Sequence, residues 1–489
     1  MFKFFQHTTL FSNKKNVVIT LLSLLSVVSF HLAVSMRESV LLSIAHGASF
    51  IPFIKTYITL PSTFLIGAFY LLLQKRVGTV KTYTAINLGL LSYFVLFSVI
   101  LLPCYEYVTP SADTIVYYKT NFPSFRFFIS LIEHWPCALF HVIAEIWSIY
   151  IFIILFWQVA NETFSHQEAA TYYPVIATLI GIGTTVAAYP ISQLSKTETP
   201  SIAFLCILIP LGLSMNAVVY YIHRTWGLEK KQAPLINKEG SEKPTLLQTI
   251  LRFLNNNLSP QVLSLSICLF SFNFLICLFE TCFWARVATF YTTQQELLSF
   301  YSSFTFLKGC LSLIAGILNI YLIQRIGWKA ILSITPIICV SAIHLFLLFS
   351  FPKSIFNIFE SFSLSGSISS IPLIITWFFS VCLSLSYASK FSFFDPTKEI
   401  IISSLDSEER RFSKVFADGI CGRAGKIIGS VVQSMLLSLS TVDSILDLSH
   451  ILFFFAFLTS IVFISSTRRL QTGSQVDIPN QQLKTVEES

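Results

Sequence analysis

Residues 223–244 read HRTWGLEKKQAPLINKEGSEKP, the start of the longest polar interruption in the chain, which runs from His223 to Pro260. On its N-terminal side lie six apolar windows, near 17–36, 50–73, 84–103, 136–158, 169–190 and 201–222. On its C-terminal side lie six more, near 260–283, 299–323, 328–351, 366–388, 420–440 and 445–466. A membrane-spanning helix takes ~20 apolar residues, so twelve spans take about 240. The chain has 489 residues, 54% of them apolar and 12% charged, with a mean hydropathy of +0.70. That balance fits an all-α integral membrane protein of about twelve transmembrane helices and leaves no room for a large soluble catalytic domain. The expected organisation is a cytoplasmic N-terminus (1–16), a six-helix half (17–222), a cytoplasmic central loop (223–259), a second six-helix half (260–466) and a disordered cytoplasmic tail (467–489) rich in Gln, Ser and Glu. Two halves of six joined by a charged loop describe a major-facilitator-like carrier, in which the halves rock about a central site.

The basic residues set the orientation. With the N-terminus in the cytoplasm, twenty-two Lys and Arg fall on the inner side and six on the outer side or at outer helix ends. The remaining four, Lys55, Lys308, Arg423 and Lys426, lie within spans. This bias supports an even number of spans and cytoplasmic termini. The net charge of +7 therefore reflects topology, and no nucleic-acid partner is expected. The first apolar run follows Lys3, Lys14 and Lys15 but is too long for a signal peptide and is followed by more spans. The ten cysteines are scattered through apolar runs without metal-ligand spacing, and read as small buried hydrophobes.

An ionisable group at bilayer depth costs several kcal/mol unless it lines a polar cavity or finds a partner. Glu145, in the fourth window, has His141 one turn before it, so it is either a packed Glu–His pair or a cavity-lining carboxylate. Glu280, in the seventh, shares a helical face with Asn273, Cys277 and Trp284, and either satisfies a neighbouring helix or faces a cavity. In the eleventh, steps of four, three and four align Gly422, Lys426, Gly429 and Gln433. The glycines suit a close helix contact and Lys426 supplies charge, by snorkelling or by meeting a ligand. Arg423 is closer to the cytoplasmic end, and Arg37-Glu38 closes the first window as a solvated pair or a site. Neither Gly425-Lys426 nor Gly181-Ile182-Gly183 completes a generic nucleotide motif. Buried cations and carboxylates alone point to a transporter of an anionic solute.

Four segments carry a family resemblance. Ile51-Pro52-Phe53-Ile54-Lys55 resembles the I-P-F-L-K after the first span of bacterial and plastid-type ATP/ADP translocases. Glu145-Ile146-Trp147, Leu155-Phe156-Trp157, Ala160-Asn161-Glu162, Glu168-Ala169 and Tyr173-Pro174 resemble their E-L-W…L-F-W-x-x-A-N-E…E-A…Y-P stretch. Phe394-Asp395-Pro396-Thr397-Lys398-Glu399, then Leu405-Asp406, Lys414, Asp418 and Gly422-Arg423-Ala424-Gly425-Lys426, are similar to F-D-P-T-K-E…L-D…G-K-A…D…G-K-S-G-G. Leu278-Phe279-Glu280 and Arg325-Ile326-Gly327-Trp328 resemble the L-V-E-V-T-W-K helix and the R-x-G-W turn. The resemblance implies nucleotide transport across the inner membrane of an intracellular bacterium, host ATP entering in exchange for ADP, with no hydrolysis, no cofactor and no metal. Its substrate-path residues fall on Arg37, Glu145, Glu280 and Lys426. Lys55, Asn161, Asp395, Lys398, Asp418 and Arg423 stand as candidates behind them.

The chain also departs from the pattern. Where the family reads L-R-x-x-K-D-T, this sequence has Val34 in place of the first cation and Arg37-Glu38 in place of K-D. The basic residue that closes V-T-W-K is displaced, Trp284-Ala285-Arg286, and Ile427-Ile428 follow Lys426 in place of small residues. Exchange of ATP for ADP is therefore set beside proton-coupled import of another nucleotide or a dinucleotide, and beside a non-transport membrane protein that keeps the scaffold. The expected partners are a nucleotide and the lipid bilayer, without an obligate protein partner. An aromatic such as Trp147 or Trp284 is the candidate platform for a base.

Overall fold

A computed structural model describes residues 13–164, 166–227, 259–351, 371–403 and 414–473. The described residues form helices and their connections. Nine helices among them are long and apolar enough to cross a membrane, and a bent pair makes a tenth span. In chain order the long helices are α1 (Lys14–Leu42), α2 (Gly47–Gln74), α3 (Thr79–Leu101), α4 (Trp135–Thr163), α5 (His166–Leu194), α6 (Pro200–Trp226), α7 (Pro260–Ala288), α8 (Gln294–Ile323), α9 (Ile334–Phe349), α10 (Leu373–Ile402), α11 (Gly422–Leu439) and α12 (Ile445–Thr472), of which α5 and α11 lie outside those ten. Arg325–Leu332 joins α9 at an angle of 45°. Each of the twelve apolar windows thus carries a helix; α5 and α11 complete the set beyond the strictest apolar ones. Most of the expected N-terminal segment, central loop and tail lies outside the described residues.

Local chemistry places the helix ends. Asn13 accepts from the Lys15 amide at the start of α1, and Ser259 from the Val262 amide ahead of Pro260 in α7. These are side-chain caps on amides that the helix itself leaves unpaired. At the start of α8, Thr293 and Glu296 form a reciprocal capping box. Gly227, at φ 66°, ends α6, and Gly327, at φ 75°, makes the turn ahead of α9. Left-handed backbone of this kind suits glycine.

Within the N-terminal half α1 packs along α4, α5 and α6; within the C-terminal half α7 packs along α11 and α12. The halves meet where α5 runs along α8, where α2 meets α7 and α11, and where α1 meets α8. Small residues set these approaches. A Cβ on Gly309 of α8 would lie 2.3 Å from Thr185 Oγ1 of α5, and one on Gly425 of α11 would lie 2.3 Å from the Phe270 carbonyl oxygen of α7.

The alternating spans define an end that carries the termini and a far end. At the far end, the connection between α3 and α4 holds three short α-helices, Tyr105–Val108, Ala112–Asn121 and Arg126–Glu133. Arg126 reaches across to the other half. Its Nη2 donates to the carbonyls of Ser440 (3.0 Å) and Val442, and its Nε lies 3.3 Å from Asp443 Oδ1. Ser49 donates to the Asp443 carbonyl at 2.9 Å. These bonds clasp the far ends of the two halves together. Beside the clasp, the Tyr105 hydroxyl and His134 Nδ1 are 2.7 Å apart. Burial holds His134 below the usual imidazole range and pushes the Tyr105 phenol well up, so this bond joins two neutral groups at physiological pH.

Candidate substrate site between the two halves

The charges at bilayer depth converge below the clasp. Arg37 sits five residues before the end of α1 and is buried. Its Nε donates to Glu38 Oε1 at 3.2 Å, and its Nη1 lies 3.6 Å from Glu145 Oε2 on α4. His141, one turn before Glu145, is fully buried with Nε2 3.7 Å from the same carboxylate oxygen. The packed Glu–His pair and the cavity carboxylate are therefore the same group. Lys55 on α2 points its Nζ toward Glu280 Oε2 on α7, at 3.9 Å. Two cations of the N-terminal half thus face two carboxylates, one in each half, at separations beyond a normal hydrogen bond.

The C-terminal half adds its own groups. Lys426 on α11 is exposed to open space and acts electrostatically on both Glu145 and Glu280. Gly422, Gly425 and Gly429 turn against α7, toward Asn273, Phe270 and Cys277, and Gln433 is fully buried. The glycines make the close helix contact, and Lys426 stands free beside it. Tyr301 on α8 and Tyr387 on α10 each lie in the field of Glu38 and Glu280. Lys308, also on α8, lies in the field of Glu280 and Lys426.

The four principal candidates, Arg37, Glu145, Glu280 and Lys426, therefore share one electrostatic site. Lys55 belongs with them through its ion pair rather than behind them. Asp395 lies elsewhere, at the terminus-bearing end of α10, paired with Lys390 at 2.9 Å and with Lys398 at 3.8 Å. Asn161 is exposed near the same end of α4. Arg423 is exposed one turn below Lys426 and acts on Tyr150. The Asp418 side chain is outside the described set, on the π-helical turn Lys414–Cys421.

Two expectations need correction. Arg37-Glu38 is no solvated pair, because Glu38 is 3% exposed and its Oε2 has no hydrogen-bond partner among the described residues. Neither tryptophan is a free base platform. Trp147 is fully buried and donates its indole N–H to Asn87 Oδ1, while Trp284 is stacked on Tyr301 with ring centroids 4.3 Å apart. Tyr301, Lys308 and Tyr387 are not singled out as site residues by the sequence, and Glu38 enters it only with Arg37, as a solvated pair or a site. For Lys308 a signal existed: it is the only charged residue in its window, 299–323.

π-helical turns adjoin the site in three spans. They cover Ile54–Thr59 around Lys55, Ile149–Phe156 after Glu145, and Lys414–Cys421 before Lys426. Such turns occur frequently where helices carry function, since they break the regular bonding ladder and re-aim side chains.

Two helical halves with a charged site between them define a polytopic membrane transporter of the major-facilitator architecture. The chain belongs to the TLC ATP/ADP transporter family, whose model it matches over residues 3–472. It is 27% identical over 477 residues to ADP,ATP carrier protein 4 of Rickettsia typhi, covering 93% of this chain and 91% of that one. It is 25% identical over 441 residues to ADP,ATP carrier protein 1 of Rickettsia prowazekii, covering 88% and 87%. Among solved structures, the nucleoside transporter NupG superposes with a TM-score of 0.57 at 14% identity, covering 93% of this chain and 100% of that one. The inward-open xylose transporter XylE of E. coli superposes with a TM-score of 0.52 at 13% identity, covering 96% and 99%. At such identities these two structures speak for the fold alone.

Proposed function

We propose that this protein exchanges ATP for ADP across the inner membrane of an intracellular bacterium, with both termini in the cytoplasm and the clasped far end facing outward. The observation that carries the reading is the charge inventory of the site: four cations, Arg37, Lys55, Lys308 and Lys426, stand around three carboxylates, Glu38, Glu145 and Glu280. A surplus of cation at bilayer depth favours a polyanionic passenger. The names of the Rickettsia relatives, and the excess of Lys and Arg on the terminus-bearing side, support the substrate and the orientation.

In this mechanism Arg37 and Lys426 bind phosphate oxygens from opposite halves. The planar guanidinium takes oxygens in pairs and the ammonium acts as a point charge. Glu145 and Glu280 hold the cations in place while the site is empty, through the loose 3.6 and 3.9 Å pairs. Phosphate then competes with these carboxylates, and the differential binding between the two rocked states moves the halves. The six-helix halves are the moving bodies, bounded at 17–222 and 260–466, and the segment between them is their cytoplasmic tether.

One observation favours a second reading. Glu38 Oε2 is buried and has no hydrogen-bond partner among the described residues, which suits a carboxyl that carries a proton alongside the solute. Proteoliposomes separate the two. Vesicles preloaded with ADP take up labelled ATP under exchange, whereas vesicles without internal nucleotide do not. Uptake into nucleotide-free vesicles driven by a pH gradient would replace exchange with proton-coupled import. The absence of uptake for every nucleotide in both formats would leave only the non-transport scaffold.

A further inference from the structure

We propose that Lys308 is a phosphate-binding residue that sets the preference of this carrier for the more highly charged nucleotide. The inference rests on the ATP/ADP reading above and deepens it.

The position of Lys308 follows from its helix. Gly309, the next residue, is pinned against Thr185 of α5, and Leu313, one turn on, lies against Gly181. Successive residues on a helix are rotated by about 100°, so the face that carries Lys308 is turned off this seam. Lys308 shares its face with Tyr301, seven residues and two turns earlier. Tyr301 lies in the field of Arg37, Glu38 and Glu280, so Lys308 sits about 10 Å further toward the terminus-bearing end, at 1.5 Å of rise per residue. The same depth on α1 is reached by counting seven residues back from Arg37, close to His31, and His31 is indeed in the field of Lys308. Lys308 therefore acts on groups of three other helices and both halves: His31, Glu280 and Lys426.

Nothing neutralises it there. Among the described residues no carboxylate lies within ion-pair distance of its Nζ, and its surroundings are the rings of Phe304 and Tyr387, at 5.9 and 5.7 Å. Between His31 and Arg37, α1 offers Leu32, Ala33, Val34, Ser35 and Met36, with no cation. The positive charge along this stretch of the passage comes from Lys308 on α8, with Lys426 on α11 in its field. Arg37 and Lys55 make one cationic level and Lys308 makes another, about two helical turns lower. A short phosphate chain meets the first level; a longer and more negative one gains most from adding the second.

The test compares Lys308→Gln, Lys308→Met and Lys308→Arg in detergent-purified protein and in proteoliposomes. The readouts are the stabilisation of the protein by ATP and by ADP, and the competition of each against labelled uptake. The expected result is that Gln and Met weaken ATP about tenfold more than ADP, the size of one charge-assisted bond, while Arg keeps the wild-type ratio. Equal weakening of both nucleotides, an unchanged ratio, or a ratio in Lys308→Arg that matches Lys308→Gln would overturn the assignment. Met is apolar and of similar length, so it reports on charge in a protein that packs as before. If wild-type protein neither binds nor exchanges ATP or ADP, the exchange reading itself fails; if it does both and only the ratios stay fixed, the role of Lys308 alone fails.

Discussion

Removal of the Arg126 side chain should open the far end of the carrier. Arg126 is the main polar tie between the two halves there, donating to the Ser440 and Val442 carbonyls and lying 3.3 Å from Asp443. Nη2 carries two N–H groups, one for each carbonyl; because both carbonyls can turn to water once the end opens, the pair is taken at the low end, ~1.5–3 kcal/mol in all. The Asp443 side chain is 60% exposed, and a solvated pair of this kind adds at most ~1 kcal/mol. Arg126→Ala should therefore shift the equilibrium toward far-end opening by ~2–4 kcal/mol, roughly 30-fold to 700-fold at 1.4 kcal/mol per decade. Ser49 is a suitable reporter, being 2% exposed and bonded to the Asp443 backbone across the same seam. With Ser49→Cys as the common background, the rate of labelling at position 49 by a membrane-impermeant maleimide, read peptide by peptide, should rise with the open population. Arg126→Lys keeps the charge but loses the fork and should fall between. Labelling rates within about twofold of one another in all three backgrounds would refute the clasp as the element that holds this end shut.

Glu145→Gln and Glu280→Gln keep shape and hydrogen bonding but remove the charge that balances Arg37 and Lys55; each should lower the maximal exchange rate tenfold or more in proteoliposomes, and normal exchange in both would make the carboxylates packing groups only. Val34→Arg adds a cation one turn below Arg37 and should raise the preference for triphosphate over diphosphate, read from competition by ATP, ADP, other nucleotides and NAD; an unchanged rank order would mean that this part of α1 does not sense phosphate charge. Gly425→Val places side-chain atoms where a Cβ alone meets the Phe270 carbonyl at 2.3 Å, so α11 and α7 must separate, at about 1–3 kcal/mol; the melting temperature of purified protein should fall, and an unchanged value would show that the seam yields freely.

The twelve spans were legible because bilayer depth demands long apolar runs, and the same demand makes each buried charge conspicuous. The pairing of those charges was not legible. Periodicity groups Lys426 with Gly422, Gly429 and Gln433, yet the glycines and Gln433 pack inward while Lys426 is exposed. A π-helical turn adds a residue to its circuit, so any face counted through Lys414–Cys421 or Ile54–Thr59 drifts by about 100°. Lys55 illustrates the same limit: its partner, Glu280, lies in the other half, 225 positions along the chain. For Glu38 the sequence leaves a solvated pair and a site open, for another reason. Proximity to a helix end implies water, but α2 starts only five residues after Leu42, folds back at once and, with the neighbouring helices, leaves no solvent at the carboxylate. Trp284 was placed on the face of Glu280 by spacing, and only the packing of α7 on α8 shows that Tyr301 already covers it.

A carrier of two rocking bodies must pass through a state sealed at both ends, and the unequal charge count of this site bears on who can make that passage. With four cations against three carboxylates, an empty site sealed from water would hold more cationic groups than carboxylates, which disfavours sealing it unless a proton leaves or a counter-ion enters. A nucleotide supplies that counter-ion by bringing its own negative charge. The unloaded protein is then held waiting at whichever face it last opened, and every return journey needs a passenger. Such a machine has no preferred direction of its own: its net traffic follows the nucleotide ratios of the two compartments it connects and, since the two passengers differ in charge, the membrane potential between them.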